Sequence, residues 1–189
     1  MVSEFLTLDG VMEDPGGAEG FARGGCALQF NRGPEGDKFK LDELMNAEAL
    51  LLGRLTYEGF AEAWPSRVGE FADKMNGMPK HVVSTTLKQA AWNNSSLIKA
   101  NVAQELEKLK TRPGGDILVA GSGQLVHTLI QHGLVDEYRL MVFPIILGEG
   151  KRLFKDGADK LPLRLVEAQP VGEGVLTLIF HAGKQMEKK

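Results

Sequence analysis

The stretch ALLLGRLTYEGFAEAWP, residues Ala49 to Pro65, decides the fold class of this chain. Its apolar start is typical of a buried strand, which ends in Gly53 and is followed at once by a helical pattern. A helix that begins directly after a strand has unpaired backbone N–H groups in its first turn, and Arg54 places a positive charge beside them. This combination is the local chemistry of an anion site.

The composition of the whole chain limits the classes of function. Its 189 residues, of which 43% are hydrophobic, suffice for one core, so we predict a single domain over residues 1–182 and a polar tail over 183–189. The net charge of −3 provides no global basic field, which argues against nucleic-acid binding. Because no apolar run reaches membrane-spanning length and no signal region precedes the first strand, we expect a cytoplasmic protein without membrane contact.

The cysteine and the histidines do not indicate a metal or nucleophile site. Cys26 lies in a glycine-rich stretch without a neighbouring histidine, so a bystander thiol is favoured over a catalytic one. The histidines are scattered, and His127 and His132 are not spaced to share one helix face as a metal-binding pair does. We therefore predict no metal.

Apolar strands alternate with helical patterns through most of the chain. Strands are predicted at residues 2–8, 49–52, 81–83 and 117–120, and helices begin at Asp37 as an N-cap, at Thr56, at Ser66, after Asn101 as an N-cap, and after Gly123. In the third of these helices, Val68 and Met75 are expected on one buried side. Strands separated by helices require right-handed crossovers, so the prediction is an α/β fold with a mostly parallel sheet.

The C-terminal part breaks this alternation. Residues 137–147 are strand-like, and two further strands, 163–171 and 175–181, face each other across Gly172-Glu173-Gly174 without a helix between them. This pattern predicts an antiparallel hairpin added to the parallel sheet. Its apolar residues Leu176, Leu178 and Phe180 face either the core or a sheet edge that a second copy covers, so a homodimer is one expectation.

Small, hydroxylic or charged residues follow each predicted parallel strand. In an open parallel sheet, ligands bind beyond the carboxyl ends of the strands. The segments at these ends are Asp9-Gly10, Gly53-Arg54-Leu55-Thr56, Ser84-Thr85 and Gly121-Ser122-Gly123-Gln124. Two glycine-terminated strands that feed helices offer two anion sites, which fits a ligand with two separated phosphate groups.

Each of these segments also has a plain structural interpretation. Gly53 permits a tight turn, Arg54 is a solvated surface charge, Thr56 caps a helix, and Ser84 and Thr85 are ordinary turn residues. The segment Gly121-Ser122-Gly123 does not complete a Rossmann fingerprint, because Val126 stands where that pattern has its last glycine. A Rossmann fold is therefore not predicted.

Taken together, the segments resemble a known superfamily. Gly53-Arg54-x-Thr56-Tyr57-Glu58 looks like the nicotinamide-cofactor element of dihydrofolate reductases, Val82-Val83-Ser84-Thr85 resembles the strand that follows it there, and residues 119–125 are similar to the later glycine-rich turn. With Leu6-Thr7-Leu8-Asp9-Gly10-Val11-Met12 and residues 143–150, FPIILGEG, they resemble the C-terminal reductase domain of bifunctional riboflavin-biosynthesis proteins (RibD) and its stand-alone relatives.

The resemblance implies a dihydrofolate reductase-like three-layer α/β/α sandwich and NADPH as the cofactor. In that family Arg54 and Thr56 contact cofactor phosphate, and Ser84 and Thr85 flank the adenosine 2′-phosphate together with Arg54. A 2′-phosphate is attracted by positive charge and repelled by the acidic residue that binds a 2′-hydroxyl. The full implied set of cofactor-binding residues is Gly53, Arg54, Thr56, Ser84, Thr85, Gly121, Ser122, Gly123, Gln124 and Leu125.

The implied activity is reduction of a small heterocycle, pterin-like or an aminopyrimidine. Asp9 and Asp37 are the candidate catalytic carboxylates, Asp9 because it lies at a strand end beside a glycine-rich loop, and Asp37 because it lies on the helix before the Gly53 strand. A turn-capping role for Asp9 and a helix-capping role for Asp37 are the alternatives. A module that binds NADP(H) without turnover, such as a sensor, is the alternative function.

Overall fold

The structure, a computed structural model, describes residues 1–183, so residues 184–189 of the predicted tail lie outside the described residues. The described part forms eight strands, β1 Val2–Thr7, β2 Ala47–Gly53, β3 Lys80–Val83, β4 Ser95–Ile98, β5 Asp116–Ala120, β6 Glu137–Phe143, β7 Leu163–Val171 and β8 Val175–Ala182. The α-helices of residues 1–183 are α1 Gly33–Asn46, α2 Arg54–Ala63, α3 Glu70–Gly77, α4 Val102–Lys110 and α5 Gly123–Gln131.

The chain divides into two compact units. The first contains Met1–Asp37 together with the residues from Val135 onward, and the second contains Lys38–Leu134. Each unit carries four of the strands. The prediction of one domain over residues 1–182 stays a prediction.

The second unit is a parallel α/β arrangement. Its strands lie in the order β4-β3-β2-β5, and every pairing among them is parallel. Leu50 and Leu52 on one face of β2 are 0% exposed and Leu51 on the other face is 3% exposed, so both faces of this strand are buried. The continuous apolar run of β2 is the sequence signature of that burial.

The first unit combines one parallel pair with an antiparallel hairpin. Its strands lie in the order β1-β6-β8-β7, in which β1 and β6 are parallel while β8 is antiparallel to both β6 and β7. The turn between β7 and β8 is the predicted glycine-rich one, with Gly172 at φ +49 and Gly174 at φ +80. The α/β class, mostly parallel with an antiparallel C-terminal hairpin, is confirmed.

Three predicted helix starts are wrong. α2 begins at Arg54, two residues before the predicted Thr56, so Thr56 lies inside the helix and is not its cap. α1 begins at Gly33, so Asp37 lies inside the helix and is not its N-cap. Pro34 lacks an N–H group and Glu35 is acidic in the first turn, and both favour the earlier start. α3 begins only at Glu70, after Gly69 with φ +106, so Val68 lies before the helix and is 93% exposed.

Two further differences concern capping and a strand. Asn101 occupies the predicted N-cap position of α4, but its backbone is left-handed at φ 51 and its side chain makes no capping hydrogen bond. Strand β4 was not predicted, because its sequence SSLI is short and half polar. It pairs with β3 over all four of its residues.

The predicted edge of the hairpin is also wrong. Strand β8 lies between β6 and β7, so β7 is the outermost strand and Leu176, Leu178 and Phe180 do not form an edge. The buried side of β8 carries Val175, which is 0% exposed, and Thr177, which is 3% exposed. Leu176 lies on the opposite side and is 38% exposed. The homodimer stays a prediction.

Candidate functional site

The turn from β2 into α2 lies in the second unit. β2 ends at Gly53 and α2 begins at Arg54 without an intervening residue. Gly53 occupies the N-cap position in an extended conformation, and no side chain makes a capping hydrogen bond to this helix end. Arg54 therefore places a positive charge at the positive end of a helix dipole, an arrangement that costs stability and attracts anions.

The turn from β5 into α5 requires an unusual backbone. Gly121 at φ +58 and Ser122 at φ +62 are consecutive left-handed residues, and Ser122 is an uncommon non-glycine example. Ser122 is the N-cap of α5, yet its side chain makes no capping hydrogen bond to the helix. Leu125 of the predicted set is 6% exposed, so its side chain is part of the core and its backbone N–H is the group that remains for a ligand.

Side chains join these two turns to each other. The Ser122 hydroxyl accepts a hydrogen bond from the Gly53 N–H at 2.9 Å and donates to the Ala120 carbonyl at 3.2 Å. The Thr56 hydroxyl accepts from the Ser122 N–H at 2.9 Å. We call residues 53–56 with 121–125 the double turn. These bonds bring two helix N-termini together without using the Thr56 hydroxyl proton.

Gly121 fits closely against this arrangement. A Cβ atom at Gly121 would lie 3.0 Å from Thr56 Oγ1 and 3.1 Å from Thr56 Cγ2. A side chain at this position is disfavoured by the left-handed backbone and would require Thr56 to shift by a few tenths of an ångström. Gly53 is less restricted, because the nearest atom to a Cβ there is Ser122 Cβ at 3.5 Å.

Arg54 carries one ion pair. Its Nη1 atom lies 2.8 Å from Glu58 Oε2, one turn along the same helix. The side chains are 40% and 44% exposed. The other guanidinium donors extend from an accessible residue at the start of α2, which is the geometry expected of an anion contact.

Ser84 and Thr85 follow β3, whose last residue Val83 is in register with Gly53. Ser84 is 7% exposed. Its hydroxyl accepts hydrogen bonds from the N–H groups of Thr86 at 3.2 Å and Leu87 at 2.9 Å. These bonds support the turn role of Ser84, and its contact with a cofactor stays a prediction. Thr85 is exposed.

Asp9, in the first unit, is held by hydrogen bonds from several segments. Its Oδ1 atom accepts from the Thr7 hydroxyl at 2.6 Å and from the Leu147 N–H at 3.2 Å. Its Oδ2 atom accepts from the Gly148 N–H at 2.9 Å and from Arg152 at 3.4 Å. The bond from Thr7, aided by the two backbone bonds, lowers the pKa of Asp9 to about 2. This is the geometry of a structural carboxylate, and it supports the turn-capping alternative.

Asp37 is less constrained. Its side chain is 67% exposed and forms an ion pair with Arg32 Nε at 2.6 Å. The Arg32 guanidinium also lies over the Phe5 ring at 5.6 Å from the centroid. Asp9 and Asp37 share the first unit, and their catalytic roles stay predictions.

The family model described as RibD C-terminal domain matches residues 1–177. The chain belongs to the RibD C-terminal domain family. Two relatives in Bacillus subtilis strain 168 are YyaP, an uncharacterized protein with 30% identity over 93% of this chain and 90% of its own length, and YwjB, also uncharacterized, with 27% identity over 75% and 78%.

Solved structures share the fold. A putative riboflavin biosynthesis protein from Shewanella sp. PV-4 matches with a TM-score of 0.77 and 18% identity over 97% of this chain and 98% of its own. A pyrimidine reductase-like protein from Corynebacterium diphtheriae matches with a TM-score of 0.66 and 13% identity over 97% and 91%. Acinetobacter baumannii RibD matches with a TM-score of 0.59 and 14% identity over 97% of this chain and 57% of that one.

A buried lysine of this RibD-type domain was missed by sequence reasoning. Lys80 is 0% exposed, and its ammonium donates to the carbonyl oxygens of Met78 at 2.8 Å, Asn93 at 3.0 Å and Asn76 at 3.1 Å. It also lies 4.2 Å from the centroid of the Trp92 ring. Burial lowers the pKa of Lys80 to about 8. A lysine at the start of a short strand gives no sequence signal for this role.

Glu58 is a second residue that sequence reasoning did not assign. It pairs with Arg54 and also lines a surface groove of about 750 Å³ in the second unit. Other residues of this groove include Tyr57, Ala61, Glu62, Asn76 and Trp92. The i,i+4 spacing of Arg54 and Glu58 was a visible signal of the pair.

Two further observations bear on ligands and membranes. Among residues 1–183, no cluster of three or more His, Cys, Asp or Glu side chains is arranged to hold a metal ion. Within the same residues, every helix falls short of the length and apolar character that crossing a membrane requires.

Proposed function

We propose that this RibD-type domain is an NADPH-dependent reductase of a small heterocycle, pterin-like or an aminopyrimidine. The observation that carries the proposal is the double turn, in which two helix N-termini without side-chain caps are joined by Gly53, Thr56 and Ser122 beside Arg54. Family membership supports a reductase-type domain. The use of NADPH and the class of substrate go beyond family membership and are proposed here.

The residues of the double turn fit a cofactor with separate phosphate groups. Arg54 supplies fixed positive charge and Thr56 supplies a hydroxyl proton. The uncapped first turn of α5 supplies backbone N–H groups from Gly123, Gln124 and Leu125. Ser122 contributes through its position, since its hydroxyl already bonds Gly53 and Ala120. When bound, the nicotinamide supplies the hydride.

The substrate class is supported by the solved relatives. One is described as a pyrimidine reductase-like protein and another as a putative riboflavin biosynthesis protein. From these descriptions we propose that the substrate of this chain is a small nitrogen heterocycle. Thr85 remains an accessible hydroxyl beside the end of β3 and joins the proposed cofactor contacts, whereas Ser84 supports it through its turn.

A binding measurement tests the cofactor. NADPH is expected to raise the melting temperature of the parent protein more than NADH at equal concentration, since a ligand stabilises in proportion to the logarithm of its excess over Kd. Arg54→Ala should weaken NADPH binding by roughly ten- to hundredfold, the equivalent of one charged hydrogen bond of about 1.5–3 kcal/mol. Arg112→Ala is the matched control, because Arg112 is an exposed arginine that lies before β5, at the strand end opposite Gly121.

A turnover measurement tests the reaction. Loss of the near-ultraviolet absorbance of NADPH is followed with pterins, dihydrofolate and aminouracils for the parent, Asp9→Asn and Asp37→Asn. A carboxylate that orients substrate should slow turnover when neutralised, while NADPH affinity stays unchanged. If both variants turn over as fast as the parent, neither carboxylate has the catalytic role and the proton comes from solvent.

One observation favours the alternative, a module that binds NADP(H) without turnover. Asp9 is engaged by four groups and its pKa is about 2, so it is poorly suited to give a proton at neutral pH. Binding of NADPH without its oxidation across the substrate panel would support this alternative. Absence of NADPH binding would contradict both functions.

A further inference from the structure

The Arg54–Glu58 pair places a carboxylate where the proposed function expects only positive charge. The two charged groups are 2.8 Å apart at the start of α2. The first turn of α2 contains no acidic residue, so Glu58 is the nearest acid along this helix to the double turn. The proposed phosphate contact therefore already has an anionic partner from the protein itself.

The pair is poorly explained by helix stability alone. Glutamate followed by a basic residue one turn later is the favourable order, and here the order is reversed. Arg54 also lies at the helix end where a positive charge is disfavoured. Both groups are more than a third exposed, so their mutual attraction is screened by solvent.

The chemistry of the two groups corresponds to the two forms of nicotinamide cofactor. An arginine accommodates the 2′-phosphate of NADPH, whereas an acidic residue accepts a hydrogen bond from the ribose 2′-hydroxyl of NADH. A carboxylate bonded to one guanidinium nitrogen withholds that donor from the 2′-phosphate and repels the phosphate charge, while the other donors of the arginine stay available. The same carboxylate is an acceptor for a 2′-hydroxyl.

We propose that Glu58 determines the cofactor specificity of this site. It competes with the 2′-phosphate of NADPH for Arg54, and it accepts a hydrogen bond from the 2′-hydroxyl of NADH. The consequence is a site that binds both cofactors, with only a modest preference for NADPH. This inference rests on the proposed function, because it assigns Glu58 a role toward the cofactor that the double turn is proposed to hold.

The test uses the intact chain and two variants of one helix. Glu58→Gln removes the negative charge but keeps the size of the side chain. Glu62→Gln is the matched control, since Glu62 is an exposed acid one turn further along α2 that lines the same groove. Calorimetric titrations with NADPH and NADH are complemented by adenosine 2′,5′-bisphosphate and adenosine 5′-monophosphate, two probes that differ only in the 2′-phosphate.

The expected result is opposite for the two cofactors. Glu58→Gln should tighten binding of NADPH and adenosine 2′,5′-bisphosphate by roughly three- to tenfold and weaken NADH by about threefold, because an exposed charge pair has effects of this size. Adenosine 5′-monophosphate should follow NADH in direction. Glu62→Gln should leave all four affinities within about twofold of the parent.

The outcomes separate this inference from the proposed function. A parent that binds NADPH, with Glu58→Gln indistinguishable from Glu62→Gln, overturns the role of Glu58 and leaves the cofactor site standing. Weaker binding of adenosine 2′,5′-bisphosphate by Glu58→Gln also overturns it, since Glu58 would then orient Arg54 rather than compete. A parent that binds none of the four probes overturns the proposed function together with this inference.

Discussion

The turns that follow β1 and β2 each carry a charged residue at a strand end, and they use it differently. Asp9 accepts four hydrogen bonds, two of them from backbone N–H groups of Leu147 and Gly148, and its side chain is 18% exposed. Arg54 has one ion pair with a carboxylate of its own helix and is 40% exposed. A charge bonded to distant backbone holds a loop in place, whereas a charge with one exchangeable partner is available to a ligand.

The largest effect is expected from removing Asp9. Asp9→Ala should lower the free energy of unfolding by about 3 kcal/mol, because charge-assisted bonds are lost and partly buried N–H groups lose their acceptor. Urea unfolding followed by circular dichroism measures this. Asp37→Ala is the control and should cost less than about 1 kcal/mol, since its ion pair with Arg32 is largely solvated. Equal losses in the two variants would remove the distinction between a structural and a surface carboxylate.

A smaller loss is expected at Gly121, within the double turn. Gly121→Ala should lower the free energy of unfolding by about 2 kcal/mol, because the left-handed backbone costs about 1 kcal/mol for a non-glycine residue and the new methyl group presses on Thr56. The same variant should bind NADPH more weakly, since Thr56 must shift.

Gly133→Ala separates the two causes. Gly133 has a similar φ of +63 but has no atom within 4 Å of an added Cβ. Only the backbone cost of about 1 kcal/mol is expected there, without an effect on NADPH binding. If Gly121→Ala resembles Gly133→Ala in both stability and binding, the contact with Thr56 has no importance for the site.

The sequence could predict the parts of this fold that depend on local patterns. The apolar run of β2, the glycines that end it and β5, and the glycine-rich turn between β7 and β8 all act through neighbouring residues. Periodicity and glycine placement therefore identified the α/β class and the location of the double turn. Errors arose at helix starts, where Pro34 and Glu35 outweighed the capping preference of Asp37.

The sequence could not predict which polar groups are already used. The Ser122 hydroxyl is bonded to Gly53, and Asp9 to Gly148, in each case across a large sequence separation. Lys80 finds three carbonyl oxygens that no local pattern announces. Whether a side chain is structural or available depends on such partners, and it therefore requires the three-dimensional arrangement.

The contribution of the Asp9 charge to stability should decrease at acidic pH. Its pKa is depressed from the usual 3.8 to about 2, so the folded state holds the charged form more strongly than the unfolded state does. This stabilisation is fully present above about pH 5 and is lost as the pH falls through 4 toward 2. The difference in unfolding free energy between the parent and Asp9→Asn should therefore shrink by about 1–2 kcal/mol over that interval. A difference that is constant from pH 6 to pH 2.5 would show that the bonds to Asp9 do not depend on its charge.

The smallest effect on stability is expected from the removal of Arg54. Arg54→Ala should change the free energy of unfolding by less than about 0.5 kcal/mol, because an exposed i,i+4 pair contributes little and the removal of a positive charge from a helix N-terminus offsets its loss. Urea unfolding without ligand measures the stability, and repetition with saturating NADPH measures the stabilisation by the ligand. The parent should gain stability from NADPH and the variant should gain much less, so the two proteins differ only when the cofactor is present. A loss of more than about 1.5 kcal/mol without ligand would instead make Arg54 a structural charge like Asp9, and the weaker binding of its variants would then report on folding rather than on contact with a phosphate.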